Sequence, residues 1–536
     1  MGPRAINKVI MLALTNVTAL DLCLACVGVY LLKQVFNKKN PPYPPGPPGR
    51  PIIGNVLDVP YIRPWLTFTD WGNKYGDISH INVLGRHIVV VNSVKTAMDM
   101  LDNKSTIYSD RPTLPVGGEL IGWKNVMVLL PYGDQLRRHC KNFHGVIGTR
   151  AAVAIYNQVV EVETHRFLMR LFAKPDQLQV HVRHTAGAVI LRISHGYEVK
   201  ENDDPFVDLA DRVMAQWSHV TAPGAFLADV VPFLIKVPEW FPGADFKRLA
   251  REWHDDLEEL VCAPHKFVVD QMAAGIAPES FTSNLLRSGS LAAEDEHIVK
   301  WSAAALYAGA SDTVGPSLYI SNNHLLRAAH FSQTVSTINA FFLAMTLFPD
   351  VQKKAQAEID AVIGPDRLPS FADQDYLPYI GALVKETLRW HSVIPTGFAH
   401  CVSQDDIHDG YYIPKGSLIM TNIWFMMNDP KRYANPSQFN PERFLGKEPE
   451  TDPRTICFGF GRRICPGIHL AEASVWLSAV MSLAVFDISK VVENGIEITP
   501  EVDPLSGTIS HLKPFKCSIE PRSSRAVALI EQDVDY

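Results

Sequence analysis

Phe458-Gly-Phe-Gly461-Arg-Arg463-Ile-Cys465-Pro-Gly467 decides how the rest of this chain is read, because each residue type in it suits the presentation of one thiolate to a metal. A thiolate is the metal-binding form of cysteine, and it is favoured beside cationic side chains and at a helix N-terminus. Cys465 has both in prospect. Arg462 and Arg463 precede it, and Pro466 sits where proline often opens a helix, ahead of the apolar run Ile468, Leu470, Ala471, Ala473, Val475 and Trp476. Gly461 and Gly467 lack a Cβ, which allows a sharp turn and close approach to a flat ligand. Taken alone, Cys465 would read as a buried, inert cysteine ahead of a helix.

The spacing Phe-x-x-Gly-x-Arg-x-Cys-x-Gly resembles the heme-ligand signature of the cytochrome P-450 family. The resemblance implies that Cys465 is the axial thiolate ligand of heme b (iron protoporphyrin IX), that Arg463 pairs with a heme propionate, that Phe458 packs near the sulfur and that Gly461 lies against the cofactor. Thiolate ligation pushes electron density onto the iron and favours O–O bond cleavage, so monooxygenation is the expected reaction.

The bulk numbers suit an ordinary globular protein: 536 residues, 47% apolar and 20% charged. A net charge of −7, without a basic tract, argues against nucleic acid as a partner. The eight cysteines are scattered, as in a reducing compartment, and Cys23-x-x-Cys26 lies in an apolar setting that suits neither redox nor zinc chemistry. Residues 1–40 carry an apolar stretch from Val9 to Leu32, interrupted by Asp21 and followed by Lys33, Lys38 and Lys39. Roughly 20 apolar residues span a bilayer, and basic residues prefer its cytosolic side. The expectation is a single-pass anchor in the endoplasmic reticulum membrane with the catalytic domain facing the cytosol; a cleaved signal peptide is the alternative.

Residues 41–51, Pro41-Pro-Tyr-Pro-Pro-Gly-Pro-Pro-Gly-Arg50-Pro51, read as a stiff extended linker, since proline lacks a donor and fixes φ. One domain follows over 52–536. Helical patterns cover Pro64 to Tyr75, Val94 to Asn103, Ala151 to Ala173, Phe246 to Met272, Val299 to Ser311, Val351 to Ile363, Tyr379 to His391 and Pro466 to Phe486. Short β-rich pieces are Ile78 to Leu84, Ile88 to Val91 and Tyr411 to Ser417. The fold class is therefore mainly α (α+β). The resemblance implies the P-450 fold, a large helical domain with a small β-rich subdomain.

Glu386 and Arg389 stand three residues apart on one helix face, and Phe439-Asn-Pro-Glu-Arg443 adds a second arginine. The resemblance implies that Glu386, Arg389 and Arg443 form a buried ionic cluster that locks the segment before Cys465. The apolar helix from Trp301 ends in Gly309-Ala-Ser-Asp312-Thr313, which looks like the family's oxygen-activation helix. A carboxylate beside a hydroxyl relays protons in a dry site, so Asp312 and Thr313 are the expected catalytic pair; a capping pair at a helix end is the plain alternative.

Three departures from the family pattern stand out. The helix would continue through Thr334-Val-Ser-Thr-Ile-Asn-Ala-Phe-Phe-Leu-Ala-Met345, yet the 20 residues Val314 to Gln333 intervene, with turn formers Gly315-Pro316 and Asn322-Asn323. We read this stretch as a translated, unspliced intron: it opens with Val, whose codons start GT, and closes with Gln, one codon of which ends AG. Where the family usually has Trp-x-x-x-Arg, the chain has Leu136 and Cys140, and Cys401 follows His400 where arginine is usual. His400, His139 or Lys141 would then replace the missing propionate donors.

Substrate contacts are expected from the Ser105 to Trp123 region, the Gly309 helix, Val393 to Phe398 and Gly507 to His511, which suit a medium-sized lipophilic molecule. Electrons would come from a separate NADPH-dependent flavoprotein reductase, docked near Arg137, Arg138 and Lys141, since the chain has no nucleotide fingerprint of its own. The linker and Phe341-Phe-Leu-Ala-Met345 are similar to fungal secondary-metabolism members such as sterigmatocystin oxidoreductases, so secondary metabolism or xenobiotic oxidation is the expected setting. Two rival readings stay open: a heme-thiolate isomerase or dehydratase acting on peroxides, and a degenerate heme-binding protein without catalysis.

Overall fold

A computed structural model describes residues 41–221, 225–287, 291–310 and 333–533, the short pieces 320–321 and 324–325, and positions 21 and 28. Apart from positions 21 and 28, the expected anchor lies outside the described residues, as do the Cys23/Cys26 pair and the Asp312-Thr313 pair.

The helical body is built from α1 (Pro64–Tyr75), α2 (Asp134–Ile147), α3 (Asn157–Ala173), α4 (Leu178–His195), α5 (Pro205–Thr221), α6 (Phe246–Ala273), α7 (Ala293–Ala310), α8 (Gln333–Leu347), α9 (Pro349–Val362), α10 (Pro378–Trp390) and α11 (Ile468–Val485), with shorter turns between them. α11 is apolar on all sides, the mark of a helix surrounded by protein. It packs against α3, α8, α9 and α10. Although α11 is long and apolar enough to cross a membrane, 61% of it is buried inside the domain, so it is the core helix. Phe167, Tyr307, Phe341, Phe342 and Trp476 fill the interior around it.

The subdomain is a four-stranded sheet. β1 (Ile78–Val83) and β2 (Arg86–Val91) form an antiparallel hairpin, β4 (Leu418–Thr421) runs parallel to β2, and β3 (His400–Cys401) pairs antiparallel with β4. The pairing of His400 with Ile419 sets a histidine on the strand that borders the main cavity.

Helix periodicity located most of the body, and the differences have local causes. The pattern from Val94 to Asn103 divides into an α turn, Val94–Ala97, and a wider π turn, Met98–Asn103. The pattern from Ala151 to Ala173 breaks at Ile155 and Tyr156 into two helices. Pro466 lies outside its helix, which begins at Ile468 with Gly467 as its cap, so the cysteine sits in a loop two residues short of the helix. The strand expected over Tyr411 to Ser417 spans only Tyr411–Ile413. Three long helices, α2, α4 and α5, were not foreseen. In α4, histidines, glycine and arginine interrupt the apolar spacing and are nonetheless largely buried by tertiary packing.

The proline-rich stretch is docked on the sheet. Pro45 O accepts from His80 N at 2.9 Å, Pro42 O accepts from Tyr412 N at 2.9 Å, and the Tyr43 ring stacks on His80 and His87. A free linker would lack these contacts; this one sets a fixed exit direction for whatever precedes it.

Candidate heme-thiolate site

The loop before α11 folds back on itself. Cys465 N donates to Phe458 O at 2.9 Å, closing the turn. Gly461 adopts φ +57°, and a Cβ there would strike the Leu101 carbonyl oxygen, so both conformation and space require glycine. Phe458 is buried beside Cys465, and both residues line a cavity of about 310 Å³.

The electrostatics of the sulfur differ from the sequence expectation. Burial pushes the Cys465 thiol up, opposed only by a hydrogen bond from the Gly467 N–H, and neither Arg462 nor Arg463 contributes to holding it down. Arg463 points to the rim instead, where it donates to Ser109 O at 2.8 Å, Leu130 O at 2.6 Å and Met127 O at 3.3 Å. Arg462 lies over the Tyr132 ring, 4.8 Å from its centroid. A metal cation bound at this sulfur would therefore supply the stabilisation of the thiolate that the neighbouring arginines do not.

The structure places Arg111 on the same rim, a residue that motif reading passed over. It is largely buried and donates to Val128 O, Phe398 O and Ala399 O at 2.8 to 3.0 Å. Burial, followed by the charge of Arg463, pushes Arg111 down to about 9, and burial likewise holds Arg463 at about 10. A buried and a half-buried guanidinium that oppose each other, with Asp110 as the nearby carboxylate, form a site for an anion. The signal in the sequence was Ser109-Asp-Arg-Pro112, inside a segment whose irregular backbone hides which side chain turns inward.

His400 also lines the cavity, and its Nδ1 bonds Tyr108 O at 2.7 Å. Burial, then the Arg111 charge, holds its pKa well below the usual value. The neutral ring that donates to Tyr108 presents only an acceptor at Nε2, so its use as a donor to a carboxylate requires protonation. The other replacement donors point elsewhere: His139 Nδ1 pairs with Ser302 Oγ at 2.9 Å, and Lys141 is exposed. Leu136 is buried, while Cys140 is half-buried within electrostatic range of Arg463. Near the expected reductase face, Arg138 is already paired with Glu294 and Asp295, and Arg137 with Asp134.

Behind the loop, Glu386, Arg389 and Arg443 come together. Arg389 grips the carboxylate with two hydrogen bonds of 2.7 and 2.9 Å, and Arg443 Nε lies 3.1 Å from its Oε2. Asn440 N donates to Glu386 Oε1 at 2.8 Å, and both arginines reach Gln438 O. The side chains of Glu386 and Arg389 are completely buried.

All four segments expected to touch a substrate contribute to the cavity, through Trp123, Gly309, Phe398 and Ile509 among others. Trp123 and Trp217 of α5 meet at 4.6 Å between ring centroids and make an aromatic wall. Thr334, in the first turn of α8, also faces this space.

A soft ligand facing the cavity, a glycine-lined loop and paired guanidiniums at one edge of an apolar cavity match a flat metal cofactor bearing carboxylates. The sequence profile of the family "Cytochrome P-450" matches residues 44–317 and 325–514. The chain belongs to the cytochrome P-450 family. It is 50% identical over 483 residues to cytochrome P-450 monooxygenase 208 of Postia placenta, covering 90% of each chain. It is 46% identical over 521 residues to cytochrome P-450 monooxygenase claR of Ampulloclitocybe clavipes, covering 96% of this chain and 93% of the relative. A zebrafish cytochrome P-450 solved with abiraterone has the same fold, with a TM-score of 0.66 at 22% identity over 86% of this chain and 100% of that one. This P-450 is accordingly a heme-thiolate monooxygenase, an oxidoreductase.

Proposed function

We propose that this P-450 binds heme b through Cys465 and inserts one atom of dioxygen into a lipophilic organic substrate held in the cavity above the sulfur. The observation that carries this reading is the convergence of Cys465, Arg111, Arg463 and His400 on one apolar cavity. When bound, a thiolate-ligated heme supplies the oxygen-activating chemistry. The chain's own residues do the rest. Arg111 and Arg463 hold the cofactor carboxylates, with His400 joining when protonated. Phe458 covers the sulfur from water, Gly461 keeps its loop close, and Glu386, Arg389 and Arg443 brace that loop from behind. Asp312 and Thr313 pass protons inward, and the Trp123/Trp217 wall and Phe398 exclude bulk water and shape the substrate space.

Electrons come from an NADPH-dependent flavoprotein reductase. Since Arg138 is already committed to carboxylates, exposed Lys141 is the freer cation for docking it. The domain sits on the cytosolic face of the endoplasmic reticulum membrane, tethered by residues 1–40 and directed by the docked stretch 41–51. Exposed Ile52, Ile62, Leu227, Phe233 and Trp240 support contact with a lipid surface. The stretch 314–333, read as a retained intron product, contains the break in the family match at 318–324. Sequencing the mature transcript tests this, and a sole message that encodes these residues rules it out.

The test of function is the spectrum of reduced, carbon-monoxide-treated protein, made with and without residues 314–333. A band at about 450 nm that disappears in Cys465→Ser is expected, and its absence from both forms would sink the proposal.

A further inference from the structure

The seam between α6 and α7 carries a reactive cluster that the heme site does not use. α6 turns Glu258, Cys262 and His265 to one side by helical spacing, and α7 meets them with Glu296 and Lys300. Lys300 Nζ lies 3.4 Å from Cys262 Sγ, which in turn lies 3.6 Å from Glu258 Oε2. The thiol thus bridges an ammonium and a carboxylate from two different helices. One turn along, His265 is buried with neither ring nitrogen hydrogen-bonded, its Nε2 3.6 Å from Glu296 Oε1. Cys262, Lys300 and Glu258 are all half-buried, within reach of a small oxidant.

We propose that Cys262 and Lys300 form a reversible covalent nitrogen–oxygen–sulfur bridge when the protein meets hydrogen peroxide. The flexible lysine stem permits close approach of the amine to the sulfur. In the first step the thiol attacks one peroxide oxygen, the O–O bond breaks, and a sulfenic acid and one water result; Glu258 takes the thiol proton and returns it to the departing hydroxide. In the second step the neutral lysine amine attacks a second peroxide, the O–O bond breaks and a hydroxylamine and one water result; the hydroxylamine oxygen then attacks the sulfenic sulfur, the S–OH bond breaks, and S–O–NH and a second water are formed. Each peroxide accepts two electrons, so sulfur and nitrogen together lose four. Before this step the lysine proton leaves to solvent at the half-exposed edge.

The bridge would tie α6 to α7, whose last turns, at Ala305, Ala308 and Gly309, wall the cavity. Lys300 lies nine residues before Gly309, about 14 Å along the helix. Peroxide exposure would then stiffen the helix that shapes the substrate space. The inference does not rest on the oxygenase reading, because added peroxide suffices and heme is not required.

The experiment treats the full-length protein with a small excess of hydrogen peroxide and measures intact and peptide masses. A gain of about 14 Da, one oxygen in and two hydrogens out, is expected, with a cross-linked peptide joining residues 262 and 300. Dithiothreitol should reverse both, Cys262→Ser and Lys300→Arg should abolish both, and the thermal midpoint should rise by a few degrees in the parent protein alone. Oxidation of Cys262 by about 16 or 32 Da without a cross-link overturns the proposal, as does an unmodified seam or a cross-link that persists in Lys300→Arg.

Discussion

The ionic cluster behind the Cys465 loop, the floor on which that loop rests, and the rim of the cavity hold charge in opposite ways. Below the Cys465 loop, the Glu386 carboxylate lies between two arginines and accepts from a backbone amide, so the buried charges are matched within the chain. On the rim, Arg111 and Arg463 are held by carbonyl oxygens and oppose each other. The floor is complete without a cofactor, whereas the rim gains its missing negative charge only when one binds. A change in the floor should therefore damage folding, and a change in the rim should damage retention of heme.

Glu386→Ala should give the largest effect. It strands Arg389, whose side chain is 0% exposed, and leaves Arg443 with Glu450 as its remaining carboxylate, which should cost about 3–5 kcal/mol. Against a typical total of roughly 5–15 kcal/mol, much of the protein would be unfolded or aggregated at growth temperature. Denaturant unfolding of the apoprotein reads this directly; loss of heme from an apoprotein of unchanged stability would instead make the cluster part of the binding site.

The floor was legible in the sequence and the rim only partly so. Glu386, Arg389 and Cys465 sit in short motifs whose spacing survives folding: a helix puts i and i+3 on one face, and the glycines limit the loop to few shapes. Arg111 lies in irregular backbone, where no period links position to direction. The expected lowering of the Cys465 pKa failed because adjacency in sequence carried Arg463 to the opposite side of the loop. His400 was assigned to the rim from a motif, but no motif reveals that Tyr108 O occupies its Nδ1.

His391, just past the end of α10, ties the helix that carries the cluster to α8, since its Nε2 meets Ser336 Oγ at 3.0 Å. Burial pushes its pKa down to about 4 from 6.5. The folded state therefore prefers the neutral ring. This contribution is fully present above pH 6.5 and is lost as the pH falls towards 4, by about 3 kcal/mol in all. His391→Gln should flatten the pH dependence of the urea midpoint between pH 7 and 5, and an unchanged slope would assign that dependence to other buried histidines such as His139, also pushed down to about 4.

Arg111→Met should change the stability of the apoprotein little, because relief of one of two opposing charges offsets three carbonyl oxygens left without a donor, while speeding heme loss by about 10- to 100-fold through lost charge-assisted hydrogen bonds. Transfer of heme to an acceptor globin measures that rate. If the apoprotein loses stability and heme loss is unchanged, Arg111 belongs to the floor in kind and the contrast between the regions fails.

The reverse substitution separates them most finely. Cys140 is half-buried on α2, close enough for Arg463 to act on its thiol, and stands where the family resemblance leads one to expect arginine. Cys140→Arg adds a third positive charge to a rim already short of negative charge, so the apoprotein should lose up to about 1 kcal/mol. With the cofactor carboxylates bound, the same guanidinium gains a partner, and heme loss should slow by several-fold, worth about 1 kcal/mol. The sign change between apo and loaded protein is the informative result, since better packing alone would shift both in the same direction.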